Sequence, residues 1–172
     1  MSRVLWAPID AIDTYPTIPA PGTGTNAGDT VIATGDFTFK VNTAGFIDLF
    51  NDLYKGSELD YKSVGDDAAP GIMTVGKART NGFTAQIIEL YRDVIGIPGI
   101  FLVQDADCAA NVWWAVGCEC NPAYLVFDAK SGTKGGSDAN AVSYEFKCHR
   151  EPYQYQGDRT LGSYIILNLN II

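Results

Sequence analysis

The stretch from Val142 to His149 alternates apolar and polar side chains without a break. Apolar residues stand at the even positions 142–148, and a polar residue follows each of them. A period of two places every second side chain on the same face of an extended strand, whereas a helix needs a period near 3.6. The pattern therefore predicts a β-strand with one buried and one solvated face, which is typical of an antiparallel sheet.

Other segments extend this β pattern along the chain. The clearest helix is predicted over about residues 82–95, where apolar residues recur at helical spacing and Gly96 follows. A second, short helix is predicted between Thr43, which can cap it, and Gly56. Further strands are predicted at residues 30–41, 59–62, 72–79, 100–103, 111–116, 123–127 and 164–172. The expected fold is mainly β (α+β): an antiparallel β-sandwich or partly closed barrel with one or two flanking helices and extended terminal arms.

Both ends of the chain are predicted to lie outside the compact domain. Residues 1–28 contain four prolines, at positions 8, 16, 19 and 21, which favour an extended N-terminal arm. A β-sandwich core domain is expected over 29–157, and a C-terminal strand or arm over 158–172. The apolar side chains of the arms must be buried, either against their own domain or, as we favour, against a neighbouring subunit. The candidate interface residues in the arms are Leu5, Trp6, Tyr15, Ile165 and Leu167.

The charge of the chain argues against several classes of function. Lys and Arg total 12 and Asp and Glu total 20, which gives a net charge of −8. Proteins that grip nucleic acid or anionic membranes do so with clustered basic residues, and the basic residues here are scattered singly. No apolar stretch approaches the ~20 residues of a membrane helix, and the N-terminus has no signal-peptide pattern. We therefore expect no membrane partner and synthesis in a cytoplasm.

The residue types used in metal binding and catalysis do not form a convincing set. Cys118, Cys120, Cys148 and His149 could supply metal ligands. However, adjacent residues of a strand point to opposite faces, so Cys148 and His149 cannot bind one ion together. The glycine run 22–28 has the wrong spacing for a phosphate-binding loop. We expect free thiols, no cofactor, no metal and no enzymatic activity.

Aromatic residues provide further candidate contacts. Trp113 and Trp114 are adjacent, so one should face the core and the other should face outward. Trp114, Tyr153 and Tyr155 are therefore candidate interface residues. Exposed aromatic rows bind sugars or bases by stacking, but they more often fill contacts between subunits. A carbohydrate-binding β-sandwich remains an alternative interpretation of the same residues.

The order of these segments resembles that of tail-tube and related virion structural proteins of tailed bacteriophages. The resemblance covers roughly residues 30–157. An arm leads into a strand, Ile32–Phe39, and a Lys-Gly-Ser-Glu-Leu-Asp-Tyr-Lys-Ser-Val-Gly segment, a strand and a helix follow. The later parts are the segments Ile100–Asp105, Pro122–Phe127, the Ser131-Gly-Thr-Lys-Gly-Gly136 loop, Val142–Lys147 and Glu151–Tyr155.

The resemblance implies a non-enzymatic virion subunit that assembles into stacked rings, commonly hexamers, around a DNA-conducting lumen. Its partners would be copies of itself and other virion proteins, and DNA would pass without specific binding. The Pro-rich arm and the C-terminal run depart from the family pattern, which leaves a neck or capsid-decorating protein as an alternative. An acidic lumen would repel DNA phosphates. The candidate lumen residues are the loop carboxylates Asp66, Asp67, Asp105 and Asp107.

Overall fold

The computed structural model describes residues 3–20, 22–41, 45–49, 57–65, 71–81, 84–105, 111–130 and 141–159. These residues form a mainly β, α+β sandwich that is not closed into a barrel, which confirms the predicted fold class. A six-stranded sheet contains, in spatial order, β3 (Ile32–Ala33), β12 (Tyr153–Tyr155), β9 (Trp113–Val116), β8 (Gly99–Gln104), β1 (Arg3–Pro8) and β5 (Ile47–Asp48). A four-stranded sheet contains β10 (Tyr124–Lys130), β11 (Ala141–Cys148), β7 (Gly71–Asn81) and β6 (Glu58–Val64). A small pair contains β2 (Ile12–Thr14) and β4 (Thr38–Phe39).

All pairings in the two large sheets are antiparallel except that of β12 with β3, which is parallel. A single turn of 3-10 helix at Ile9–Ala11 joins β1 to β2, and a second turn at Asp29–Val31 lies between β2 and β3. The α-helix, α1, spans Ala85–Val94. Within the part of the chain described, no helix is long and apolar enough to cross a membrane.

The six-stranded sheet is buried on both faces. On one face Val4, Trp6, Phe101 and Val103 pack with residues of the four-stranded sheet and α1 in a first core cluster. On the other face Leu5, Ala7, Ile100 and Leu102 pack with residues of the segment 9–39 in a second cluster. Double burial explains why β1 and β8 are continuous apolar runs rather than alternating ones.

The four-stranded sheet has the one-sided pattern that its sequence predicts. In β11, Val142, Tyr144, Phe146 and Cys148 are at most 2% exposed, and their polar neighbours face outward. Phe146 stacks on Phe101 of the opposite sheet with ring centroids 4.3 Å apart and planes 4° from parallel. This stack joins the two layers of the sandwich.

The helix α1 confirms the prediction at residues 82–95, although residues 82–83 lie outside the described ranges. Thr84 caps the first turn, where its side chain accepts a hydrogen bond from the Ile87 backbone N–H. Leu90, Tyr91 and Val94 are the buried residues of the helix and pack in the first core cluster.

The second predicted helix is wrong where it can be checked. Ile47–Asp48 forms β5, an edge strand that pairs with Leu5 and Trp6 of β1. The Leu49 N–H donates to the Val4 carbonyl oxygen at 3.0 Å, so backbone pairing with β1 outweighs the local helical spacing. Residues 43–44 and 50–56 of this predicted helix lie outside the described residues.

The expectation of an N-terminal arm over residues 1–28 is also corrected. Strand β1 lies inside the six-stranded sheet, between β8 and β5. The following residues are tied to the same domain, because Ile12 packs in the second cluster and Thr17 forms a β-bridge with Thr34. Residues 3–20 thus belong to the same domain as the two large sheets. The C-terminal segment 160–172 lies outside the described residues.

Candidate assembly surfaces and a thiol cluster

Strands β10 and β6 are the two edges of the four-stranded sheet. Each has seven residues, and within the described ranges neither pairs with a strand on its outer side. On β10, Tyr124 and Val126 are 47% and 56% exposed, whereas Leu125 between them is 1% exposed. Unpaired backbone groups beside exposed apolar side chains favour pairing with another chain.

The solvent face of this sheet carries both signs of charge. The strand register places Glu145, Lys77 and Glu58 side by side on it, with Lys77 Nζ 2.8 Å from a Glu58 carboxylate oxygen. The hydrogen bond between them raises the pKa of Lys77 and lowers the pKa of Glu58. Such exposed pairs contribute little to stability. The other charged residues that the register places on this face, among the side chains described, are Asp60, Lys62, Arg79 and Lys147.

Four of the predicted interface residues are core residues in the fold. Leu5 and Trp6 are 1% and 2% exposed because β1 lies inside a sheet that is covered on both faces. Tyr153 and Tyr155 are 3% and 1% exposed because β12 buries them in the second cluster. The expectation that these four side chains form an accessible interface is therefore corrected.

The hydroxyl of the buried Tyr155 has two hydrogen-bond partners. It accepts a hydrogen bond from the Phe37 backbone N–H at 3.2 Å and donates one to the Asp158 carbonyl oxygen at 2.7 Å. Burial raises its pKa above the ordinary value, and burial raises the pKa of Tyr153 as well. Tyr155 thus anchors the segments around residues 37 and 158 to the six-stranded sheet.

Tyr15 is half-buried rather than free. Its hydroxyl donates to the Ile9 carbonyl oxygen at 3.3 Å, and its ring meets that of Phe37 edge-on at 5.9 Å. Burial, together with the negative charges of Glu119 and Asp10, raises the pKa of Tyr15 to about 12. The remaining candidates of the arms, Ile165 and Leu167, lie outside the described residues.

Trp114 lines a groove at one end of the sandwich. Trp113 is buried in the second cluster, and the neighbouring Trp114 lies on the opposite face of the sheet, where it is half-buried rather than facing open solvent. The groove has a volume of about 240 Å³. It is lined by Leu59, Tyr61, Val103, Gln104, Asp105, Trp114 and Pro152.

The groove brings together a different aromatic pair from the one that the sequence suggested. Tyr61, which is 64% exposed, shares the groove with Trp114. Tyr153 and Tyr155 lie on the other face of the six-stranded sheet. Of the candidate lumen residues, Asp105 is exposed at this groove, and Asp66, Asp67 and Asp107 lie outside the described residues. The lumen assignment of these four residues stays a prediction.

A thiol cluster lies where the loop after β9 meets the end of β11. Arg150 Nη1 donates to Cys118 Sγ at 3.0 Å, and Cys148 Sγ donates to the Asn121 carbonyl oxygen at 3.3 Å. The Asn121 side-chain amide in turn donates to the His149 carbonyl oxygen at 2.9 Å. Both Cys118 and Cys148 are buried free thiols. The two loops are thus joined by side-chain hydrogen bonds.

The surroundings of Cys148 favour its protonated form. Burial and the nearby Cys118 raise the pKa of Cys148 to about 11. The exposed His149 faces away from the buried Cys148, as the strand pattern predicts. In the described part of the chain, no group of three or more His, Cys, Asp or Glu residues has an arrangement that could hold a metal ion.

Sequence reasoning did not identify Tyr124, Val126 or Arg150 as candidates. The alternation of Tyr124, Leu125 and Val126 was available as a signal, but a pattern alone does not say which strand forms an edge. Arg150 contacts a cysteine 32 positions away in the chain, and no local spacing predicts that contact.

Comparison of the chain with protein-family models, with curated proteins and with solved structures found no match.

Proposed function

We propose that this protein is a non-enzymatic structural subunit of a virion, and that it assembles with copies of itself into rings as a phage tail-tube subunit does. The observation that carries the proposal is the four-stranded sheet with two open edges, β6 and β10, in the described part of the chain. The exposed Tyr124 and Val126 lie on one of these edges.

The two edges provide the unlike surfaces that a ring requires. The outer edge of β6 differs in sequence from that of β10, so a contact between β6 of one copy and β10 of the next is heterologous. Heterologous contacts repeat from copy to copy and close into a ring when the rotation permits. Closure would pair both edges and remove the aggregation hazard that an exposed edge presents.

The net charge of the chain is consistent with this proposal. The chain has a net charge of −8, so an assembled ring would repel DNA phosphates rather than retain them. The described solvent face of the four-stranded sheet is of mixed sign, with Glu58, Glu145 and Lys77 adjacent. Asp105 is therefore the stronger candidate for an acidic lumen among the described residues, and Asp66, Asp67 and Asp107 stay candidates from the sequence.

The test is the oligomeric state of an edge variant. Val126→Lys places a charge on the exposed apolar part of β10, and it should convert rings or tubes of the wild-type protein into monomers. Light scattering after size exclusion and negative-stain electron microscopy measure this directly. A monomeric wild-type protein at all accessible concentrations would refute the proposal.

Val41→Lys is the matched control for this variant. Val41 is 90% exposed and lies in a turn outside the sheets, so the same substitution there should leave assembly unchanged. Equal loss of assembly in both variants would mean that the effect comes from added charge and not from the edge.

A carbohydrate-binding module is the second candidate, because Trp114 and Tyr61 share a groove with the carboxylate of Asp105. Aromatic rings beside a carboxylate are suited to stacking on a sugar and accepting hydrogen bonds from its hydroxyls. A glycan array separates the two functions, since binding that is lost in Trp114→Ala supports this candidate. A neck or capsid-decorating role would instead appear as rings that do not stack into tubes.

A further inference from the structure

Cys118 and Cys148 come from different parts of the sandwich but meet at one oxygen atom. Cys118 follows β9 of the six-stranded sheet, and Cys148 ends β11 of the four-stranded sheet. The Cys118 backbone N–H donates to the Asn121 carbonyl oxygen at 3.0 Å, and Cys148 Sγ donates to that same oxygen at 3.3 Å. Because both residues contact one atom, they are neighbours across the junction of the two layers.

The loop that carries Cys118 has little freedom to move away. Gly117 has a φ of +100°, and a side chain there would lie 2.9 Å from the Ala123 nitrogen. Backbone hydrogen bonds between Cys118 and Asn121 close the turn in both directions at 3.0 and 3.1 Å. The turn therefore holds Cys118 beside Cys148.

The two sulfurs have different polar neighbours. The guanidinium of Arg150 contacts Cys118 Sγ at 3.0 Å, and a permanent positive charge favours the negative charge that develops on a neighbouring sulfur as it attacks. Cys148 is 1% exposed and donates its hydrogen bond to the Asn121 carbonyl oxygen. Cys118 is therefore the better candidate for the first attack, and Cys148 is the candidate for the resolving step.

We propose that Cys118 and Cys148 are an oxidation site that closes to an intramolecular disulfide on exposure to a small-molecule disulfide. The Cys118 thiolate attacks one sulfur of the oxidant, which forms a mixed disulfide and releases one small thiol. Cys148 then loses its proton and attacks the Cys118 sulfur, which forms the Cys118–Cys148 bond and releases the second small thiol. The two protein thiols are oxidised, the oxidant is reduced to two thiols, and both protons end on those products.

The bond would tie the two layers of the sandwich together. It would replace the Arg150–Cys118 and Cys148–Asn121 hydrogen bonds with a covalent link between the ends of β9 and β11. A reducing cytoplasm keeps such thiols free, and an oxidising exterior lets them pair. The disulfide would thus stabilise the folded subunit outside a cell. This inference does not depend on the assembly proposal.

The test uses a variant that retains only the two cysteines of interest. Cys120 is exposed and Cys108 lies outside the described residues, so Cys108→Ser with Cys120→Ser removes the other thiols. Incubation with oxidised glutathione should lower the intact monomer mass by two hydrogens and abolish both free thiols. Adding Cys118→Ser should prevent that mass loss. Two persistent thiols, or disulfide-linked dimers alone, would overturn the proposal.

Arg150 provides a readout that a merely structural contact would not move. Arg150→Met should slow disulfide formation by about tenfold, because the attacking Cys118 sulfur loses its cationic neighbour, and Arg150→Lys should restore part of the rate. Circular dichroism melts check that each variant is folded. If the double serine variant does not fold, peptide mapping of the oxidised wild-type protein must find the Cys118–Cys148 bond, and its absence there would also overturn the proposal.

Discussion

Strands β1 and β10 have similar apolar sequences and opposite positions in the fold. In β1 the residues Val4 to Ala7 are at most 2% exposed, because strands lie on both sides and core clusters cover both faces. In β10 only Leu125 of the residues 124–126 is buried, because the strand has one neighbour and one covered face. The comparison shows that an apolar run becomes core or contact surface according to its place in the strand order.

The same comparison moves the proposed assembly surface to β10. The sequence placed it in both terminal segments and at Trp114, Tyr153 and Tyr155. The fold uses the start of the N-terminal segment as the inner strand β1. The described large apolar side chains that are clearly exposed on the edge strands of the four-stranded sheet are Tyr124 and Val126 on β10 and Tyr61 on β6. Removing β1 should therefore damage the fold, whereas altering the exposed side chains of β10 should change only association.

The largest effect should come from the inner strand. Leu5→Ala removes a side chain that is 1% exposed and leaves a cavity, so it should lower the free energy of unfolding by about 2–5 kcal/mol. The matched truncation on β10, Val126→Ala, should change it by less than about 0.5 kcal/mol because Val126 is 56% exposed. Denaturant titrations measure both. Equal losses of unfolding free energy would show that β1 and β10 do not differ in how deeply they bury these side chains.

A smaller loss is expected from Gly76→Ala, on the buried face of the four-stranded sheet. A Cβ atom at Gly76 would overlap the Phe146 ring, which is itself stacked on Phe101. Overpacking of this kind costs about 1–3 kcal/mol. Adding Phe146→Leu should recover part of the loss in a double-mutant cycle.

Gly71→Ala is the control for this substitution, because a Cβ atom there would lie at an ordinary 3.5 Å from the Val64 carbonyl oxygen. It should leave the unfolding midpoint nearly unchanged. If Gly71→Ala is as damaging as Gly76→Ala, the loss reflects backbone entropy or strand propensity and not the Phe146 ring.

The smallest expected changes in the free energy of unfolding come from removing the Tyr91 and Tyr144 hydroxyls, and the two changes should have opposite signs. The Tyr91 hydroxyl donates to the Leu49 carbonyl oxygen at 2.8 Å and lies 2.9 Å from the Thr80 hydroxyl, so Tyr91→Phe should cost about 1–2 kcal/mol. The neighbouring Tyr144 hydroxyl is buried and finds no partner among the described residues. Tyr144→Phe should be neutral or stabilising by up to about 1 kcal/mol. A destabilising Tyr144→Phe would mean that its hydroxyl is hydrogen-bonded in solution.

The elements that the sequence predicted correctly are those with a complete local signal. Alternation from Val142 to Cys148 defines β11, and helical spacing before Gly96 defines α1. Strand β5 has two residues and exists because β1 lies beside it, so no local pattern could reveal it. Tyr153 and Tyr155 form the short strand β12 for the same reason.

The groove and the thiol cluster were less predictable than the strands, because their residues are far apart in the sequence. That Trp113 and Trp114 face opposite ways follows from strand geometry alone. The partner of Trp114 in the groove, Tyr61, is fixed by how the two sheets pack. The contact of Arg150 with Cys118 likewise requires the ends of two sheets to meet.

Hydrogen–deuterium exchange of β1 and β10, measured in monomeric and in assembled protein, distinguishes an inner strand from an open edge. The β1 amides should be protected in both states, because β8 and β5 already pair with them. The outward amides of β10 should exchange rapidly in the monomer and become protected on assembly. Fast exchange of β1 in the monomer that slows on assembly, with β10 unchanged, would refute assembly through β10 and restore the N-terminal segment as the assembly arm.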